Sequence, residues 1–131
     1  LIVKLNLLAD PDIIAALYEV AAAGVEIDLI VRDICRLRPG VPGLSDLIRV
    51  VSHLGDYVEH SRILYCHNNG QPEAWIGTAD WTPRGLNERI EVMVPIHSPA
   101  LVQELYTLLQ TLLADTQASW QLQPDGRYVK R

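Results

Sequence analysis

Apolar positions along the chain follow two rhythms. Leu1 to Asn6 is dominated by β-branched and apolar residues and predicts a strand. Ile13, Ile14, Leu17, Val20 and Ala21 then repeat at helical spacing. Asp10-Pro11 offers that helix an N-cap and a proline at its first position, and Gly24 stops it. From Val25 to Arg32 the period returns to two, with Val25, Ile27, Leu29 and Val31 on one face and Glu26, Asp28, Ile30 and Arg32 on the other. Strand, helix and strand in this order predict two parallel strands joined by a right-handed crossover.

A long connection, Asp33 to Asp46, follows and is rich in Pro, Gly and Arg; long loops inside compact domains are often functional. Further strands are expected at Ile48–Leu54, Ser61–His67, Ala74–Ala79 and Arg89–Ile96. The turn Asn68-Asn-Gly-Gln-Pro72 makes a hairpin of the second and third of these. Ser98-Pro99 caps a helix whose apolar stripe is Leu101, Val102, Leu105, Leu108, Leu109, Leu112 and Leu113. Trp120 to Lys130, turning at Pro124-Asp-Gly126, reads as a terminal hairpin. The expected fold is α/β: a mixed sheet with flanking helices, in a single domain spanning residues 1–131.

Composition narrows the classes. Apolar residues make up 49% of the chain, too many for a disordered tail. No apolar run reaches the roughly 18 residues needed to span a bilayer. Leu1-Ile-Val-Lys4 lacks the basic start and long apolar stretch of a signal peptide, so cytoplasm is the default expectation. The absence of an initiator Met reads as a piece of a longer protein. Cys35 and Cys66 have no partner at metal-finger spacing, and Cys66 and His67, adjacent in a strand, point to opposite faces, so buried free thiols are expected. A net charge of −5 argues against a general grip on nucleic acid. The cations are mostly arginine, and Arg32, Arg36, Arg38, Arg49, Arg62, Arg84 and Arg89 form a central set. Arginine's planar fork grips phosphate oxygens in pairs. The interleaved acids Asp33, Asp46, Glu59 and Glu88 leave surface ion pairing open as the alternative.

Glu59-His60-Ser61-Arg62 stands where a strand is expected to begin. In a strand, His60 and Arg62 project to one face, roughly 7 Å apart. An imidazole beside a guanidinium suits phosphoryl transfer: the first moves a proton or attacks phosphorus, the second steadies the oxygens. A solvated histidine beside a salt-bridged arginine would give the same string. Gly77-Thr-Ala-Asp-Trp81 ends the next strand, where small residues let backbone amides approach a ligand. There Thr78 and Asp80 share a face and are placed to hydrogen-bond a neighbouring histidine.

Together, His-x-Arg and Gly-Thr-Ala-Asp resemble the His-x-Lys … Gly-Ser-x-Asn motif of the phospholipase D superfamily, in which two such halves each supply a histidine to one site. Arg62 stands for the usual Lys and Asp80 for the usual Asn, and the intervening hairpin is longer. A longer match lies in Val25-Glu-Ile-Asp-Leu-Ile-Val-Arg32, Cys35-Arg-Leu-Arg-Pro-Gly-Val-Pro-Gly-Leu-Ser45, Glu59-His-Ser-Arg-Ile63 and Gly77-Thr-Ala-Asp-Trp81. These strings resemble the polyphosphate kinase family, from about Lys4-Leu-Asn6 to Gln123-Pro-Asp-Gly-Arg-Tyr128. The resemblance implies the last of four domains, the second of two phospholipase D-like halves, in an enzyme that transfers the terminal phosphate of ATP reversibly to polyphosphate. It implies that His60 is the second active-site histidine, contacting nucleotide, and that Arg32 binds ATP. The phosphorylated histidine and the Mg2+ ligands would lie in the preceding domain, so this domain alone would be inactive.

The implied partners are ATP or ADP, polyphosphate and the preceding domains of the same chain, with no nucleic acid, no transmembrane segment and a homo-oligomer at full length. Arg62 is a candidate for phosphate oxygens. Lys4, Asn6, Asp80, Arg84 and Arg89 are further candidates that could equally be structural partners. The chain departs from the family pattern at Asp33 for Gly, Asp56-Tyr57 for Arg-Phe, Asn69 for Gly and Thr82 for Met. Asp33 and Asp56 make the neighbourhood more negative and favour one rival reading, an anion-binding module without chemistry. The other rival is half of a different phospholipase D-like phosphodiesterase.

Overall fold

Eight strands form one mixed sheet in the order β6-β5-β4-β1-β2-β3-β7-β8, in a computed structural model that describes residues 1–131. They are β1 (Ile2–Leu5), β2 (Ile27–Val31), β3 (Ile48–His53), β4 (Arg62–Cys66), β5 (Glu73–Gly77), β6 (Met93–Ile96), β7 (Ser119–Leu122) and β8 (Tyr128–Lys130). Three helices accompany them: α1 (Pro11–Ala22), α2 (Pro83–Asn87) and α3 (Pro99–Ala114). β1, β2 and β3 are parallel, and every other neighbouring pair is antiparallel. The α/β expectation and the β1-α1-β2 unit are therefore observed. The caps are those read from the sequence: the Asp10 and Ser98 side chains accept from the N–H groups of Ile13 and Leu101, each with a proline opening the helix.

Alternation along the strands divides the core between the two faces of the sheet. On one face, Val3, Leu5, Leu29, Val31 and Val50 pack with Leu17 and Ala21 of α1. On the other, Ile2, Ile30, Val51, Ile63 and Tyr65 pack with Val102, Leu109 and Leu113 of α3. Burying such a side chain stabilises the fold by about 1.5–3 kcal/mol, and both faces need a helix because both are apolar. The expected stripe of α3 is wider than the face it buries, since Leu101 and Leu108 are exposed.

The long connection after β2 folds back on the α1 face. Leu37 is fully buried there, and the Ser45 hydroxyl donates to the Arg38 carbonyl at 2.6 Å. The Cys35 thiol is buried beside it, and burial pushes its pKa up to about 11, which leaves it an unreactive thiol. Cys66 is half-buried rather than enclosed. At the β4–β5 turn, Asn68 and Asn69 take φ of 50° and 53°, a left-handed conformation that asparagine tolerates, so Asn69 fills a position usually given to glycine.

Two elements differ from expectation. The strand expected over Arg89–Ile96 begins only at Met93, and helix α2 precedes it. The signal for α2 was Thr82-Pro83, an N-cap and first-position proline; five residues are too few to show an apolar period. Gly85 within α2 is required by close approach, because a Cβ there would stand 2.8 Å from the Asp80 carbonyl oxygen. The strand expected over Ser61–His67 begins at Arg62, which leaves His60 two residues outside it.

Candidate functional site

Parallel strands deliver their side chains to a common edge. Ile30 of β2 is level with Lys4 of β1 and with Val51 of β3, so two residues further on Arg32 stands level with His53, on the α3 face. Lys4, Arg32 and His53 line one cleft, together with Tyr57, Glu59 and Leu112. The C-terminal edge of parallel strands is where open α/β sheets bind ligands. The Arg32 backbone is fixed from both sides: its N–H donates to the Leu5 carbonyl at 3.1 Å, and its carbonyl accepts from the Ser52 hydroxyl at 2.9 Å. The Arg32 guanidinium has no ion pair. Asp33, exposed, does not neutralise it.

Lys4 organises the segment that carries His60. Its side chain is only 6% exposed, and its ammonium pairs with the Glu59 carboxylate and donates to the Ser61 carbonyl at 3.0 Å. Glu59 also accepts from the Ser61 N–H at 2.7 Å. Burial alone would raise the Glu59 carboxyl, but the Lys4 ammonium and the Ser61 bonds outweigh it and hold it at about 2. Residues on both sides of His60 are thus clamped, while His60 itself is exposed and makes no hydrogen bond within the protein. That arrangement presents an imidazole to solvent on a fixed backbone.

Arg62 and Asp80 belong together, on the next part of the edge. The Arg62 Nη2 donates to Asp80 Oδ2 at 3.0 Å, and Asp80 Oδ1 accepts from the N–H groups of Asn6 and Leu7 at 2.8 and 3.2 Å. Burial would raise the Asp80 carboxyl; the Arg62 guanidinium and the two N–H groups outweigh it and keep it below the ordinary carboxylate range. Asp80 therefore does not reach a histidine, as the sequence suggested, because its acceptor capacity is already taken. Thr78, the other residue expected to do so, bonds to Glu91 and Val92 instead. Arg84 and Arg89 are exposed and unpaired, and with Arg62, Asp80, Thr78 and Thr82 they line a second polar cleft. Asn6 is buried, and its Oδ1 is without a hydrogen-bond partner; native proteins seldom leave such an atom unpaired.

Most of the site residues expected from the sequence thus fall into two groups: Lys4 and Arg32 in one cleft, and Arg62, Asp80, Arg84 and Arg89 in the other, with Asn6 bonded through its backbone to Asp80. His60 lines neither cleft; it stands exposed on the segment between Glu59, which lines the first, and Arg62, which lines the second. His53, Tyr57 and Glu59, which line the first cleft, were not named as site residues from the sequence. No cluster of three or more His, Cys, Asp or Glu side chains could hold a metal ion. No helix is long and apolar enough to cross a membrane.

The tie around Asp80 gives a first expected result. Asp80→Ala leaves the Arg62 charge and two backbone N–H groups without their acceptor, and should cost about 3 kcal/mol in urea denaturation. Asp80→Asn keeps an acceptor oxygen and should cost clearly less; equal losses for the two would argue against this account.

Known proteins share this architecture. The family model described as "Polyphosphate kinase C-terminal domain 2" matches residues 1–131. Polyphosphate kinases of Thermosynechococcus vestitus and Synechocystis sp. are 53% and 54% identical over 131 residues, covering 100% of this chain and 18% of each relative. The crystal structure of polyphosphate kinase from Porphyromonas gingivalis superposes with a TM-score of 0.95 at 40% identity, over 98% of this chain and 20% of that one. NucT from Helicobacter pylori, at 14% identity and a TM-score of 0.59 over 86% of this chain and 77% of its own, shares the fold. The chain therefore has a phospholipase D-like α/β fold and spans about 18% of the length of the curated relatives it matches. With the family model covering every residue, the chain belongs to the polyphosphate kinase family as its second C-terminal domain.

Proposed function

We propose that this domain supplies the nucleotide-phosphate side of a reversible phosphoryl transfer between ATP and polyphosphate, within a longer enzyme. The observation that carries the reading is the Arg32 guanidinium, fixed by its backbone at the edge of the parallel strands and left without an ion pair. Phosphoryl transfer asks little covalent work of a protein beyond positioning and charge stabilisation. Arg32 takes up phosphate oxygens through its fork. His60, on its clamped segment, moves a proton or donates to phosphate, and Arg62 steadies oxygens beside the Asp80 tie. Arg84 and Arg89 extend the positive edge. The nucleophilic histidine and the ligands of the Mg2+ that this chemistry uses are assigned to the preceding domain. The preceding domains are accordingly partners of this one, in an enzyme of the cytoplasm that assembles as a homo-oligomer.

The reading is tested at Arg32. In the full-length enzyme Arg32→Lys should weaken ATP binding roughly tenfold, because a point charge cannot replace a bidentate contact. Arg127→Lys, in an exposed pair with Asp125 far along the chain, should leave it unchanged. Isothermal titration of both variants decides the matter, and equal affinities would remove Arg32 from the site.

A further inference from the structure

His53 ends β3 and belongs to no motif, yet its ring lines the same cleft as Arg32 and Lys4. Its Nε2 faces Asp115 Oδ2 at 3.6 Å, and its Nδ1 has no partner within the protein. Asp115, just beyond α3, is held in turn: its Oδ2 accepts from the Ala118 N–H and the Ser119 hydroxyl, both at 2.9 Å. Those two bonds keep its carboxyl below the ordinary carboxylate range. The Arg131 guanidinium fixes the backbone of the same residue by donating to its carbonyl at 3.1 Å. On the other side the ring lies close to Gly55, where an added Cβ would stand 3.3 Å from Cε1. The imidazole thus lies between a fixed carboxylate and the chain, with Nδ1 unpartnered.

The charges around it matter. Lys4 is already matched by Glu59, so Arg32 is the unmatched charge lining the cleft, with the Asp115 carboxylate behind the ring. An anion drawn in by Arg32 would meet Asp115 unless something stood between them. A histidine with both nitrogens protonated donates in two directions, one N–H to the carboxylate and the other to the anion. We infer that His53 is a second phosphate-binding side chain of the Arg32 cleft, oriented by Asp115 and shielding the bound phosphate from it. The ligand class is a phosphate oxyanion, whether of a nucleoside triphosphate or of polyphosphate.

This rests on the reading of the Arg32 cleft as a phosphate site, and the experiment separates the two. In the full-length enzyme, steady-state rates are measured with ATP as the varied substrate in synthesis, and with polyphosphate as the varied substrate in the reverse reaction with ADP. His53→Gln should raise KM roughly tenfold for at least one of them with little change in kcat, the signature of a contact made equally in ground and transition states. The substrate affected identifies whose phosphate sits there. Asp115→Asn keeps an acceptor for Ala118 and removes the charge facing Nε2, and should move the same KM by a smaller factor, so it reads the site even if His53→Gln does not fold. If Arg32→Lys raises KM while both of these variants leave it unchanged, the inference is overturned and the cleft remains a phosphate site. If Arg32→Lys is silent as well, the reading of the cleft itself fails.

Discussion

Replacing His60 by alanine in the full-length enzyme should lower polyphosphate synthesis about a hundredfold or more, the usual cost of losing a positioned acid or base. His67→Ala and His97→Ala should leave most of the activity. The contrast is structural. His67 is exposed at the turn after β4, and His97 is exposed just before the cap of α3. His60 is also exposed, but the residues on either side of it are gripped by the buried Lys4. Lys4→Met should therefore lower kcat in the same direction, by a smaller factor, since it frees the backbone of His60 without removing the imidazole. Initial rates of synthesis from ATP measure all four variants. Full activity in His60→Ala would remove this residue from the chemistry, and full activity in Lys4→Met would mean that the clamp serves stability alone.

The second large effect is an absence. The domain on its own should make no polyphosphate from ATP and magnesium, because it carries one histidine in motif context where the superfamily arrangement uses two. The phosphorylated residue of the full-length enzyme should correspondingly lie upstream of this domain. The fragment is assayed by product formation, and the intact enzyme by mapping acid-labile phosphate to peptides with mass spectrometry. Steady synthesis by the fragment, or phosphate found only on a peptide containing His60, would overturn the division of labour.

Much of the scaffold could be read from periodicity. The alternation in Val25 to Arg32 correctly separated the Leu29 and Val31 face from the Ile30 and Arg32 face, and the two proline-led caps were correct. Register between parallel strands was not legible, because no turn links neighbours and fixes their offset. His53 was missed for that reason: its alternation within β3 was visible, but not that it stands level with Arg32. Asp80 was assigned the wrong partner for a different reason. After β5 the segment runs beside the loop that follows β1, where the Trp81 carbonyl accepts from the N–H groups of Ala9 and Asp10. A tertiary crossing of that kind leaves no local pattern in the sequence. The segment of His60 was read as the start of a strand, but it lies in an irregular stretch before β4, held by Lys4, a contact across the sheet that no local pattern announces.

The order of strands also bears on how the domain is made. The parallel unit β1–β2–β3 is complete before the chain reaches β4, and its pairings are between elements close in sequence. Its two open sides are the β1 side, later covered by β4, and the β3 side, later covered by β7. Until then each presents unpaired backbone donors and acceptors, the surface that invites pairing between nascent chains. Closing β3 against β7 must wait until α3 has been synthesised, and distant pairings of this kind slow folding through the entropy of loop closure. Lys4 occupies the first of those open sides. Before Glu59 arrives it sets a bare charge on an otherwise apolar strand, and a charge on an open edge strand disfavours pairing with another chain.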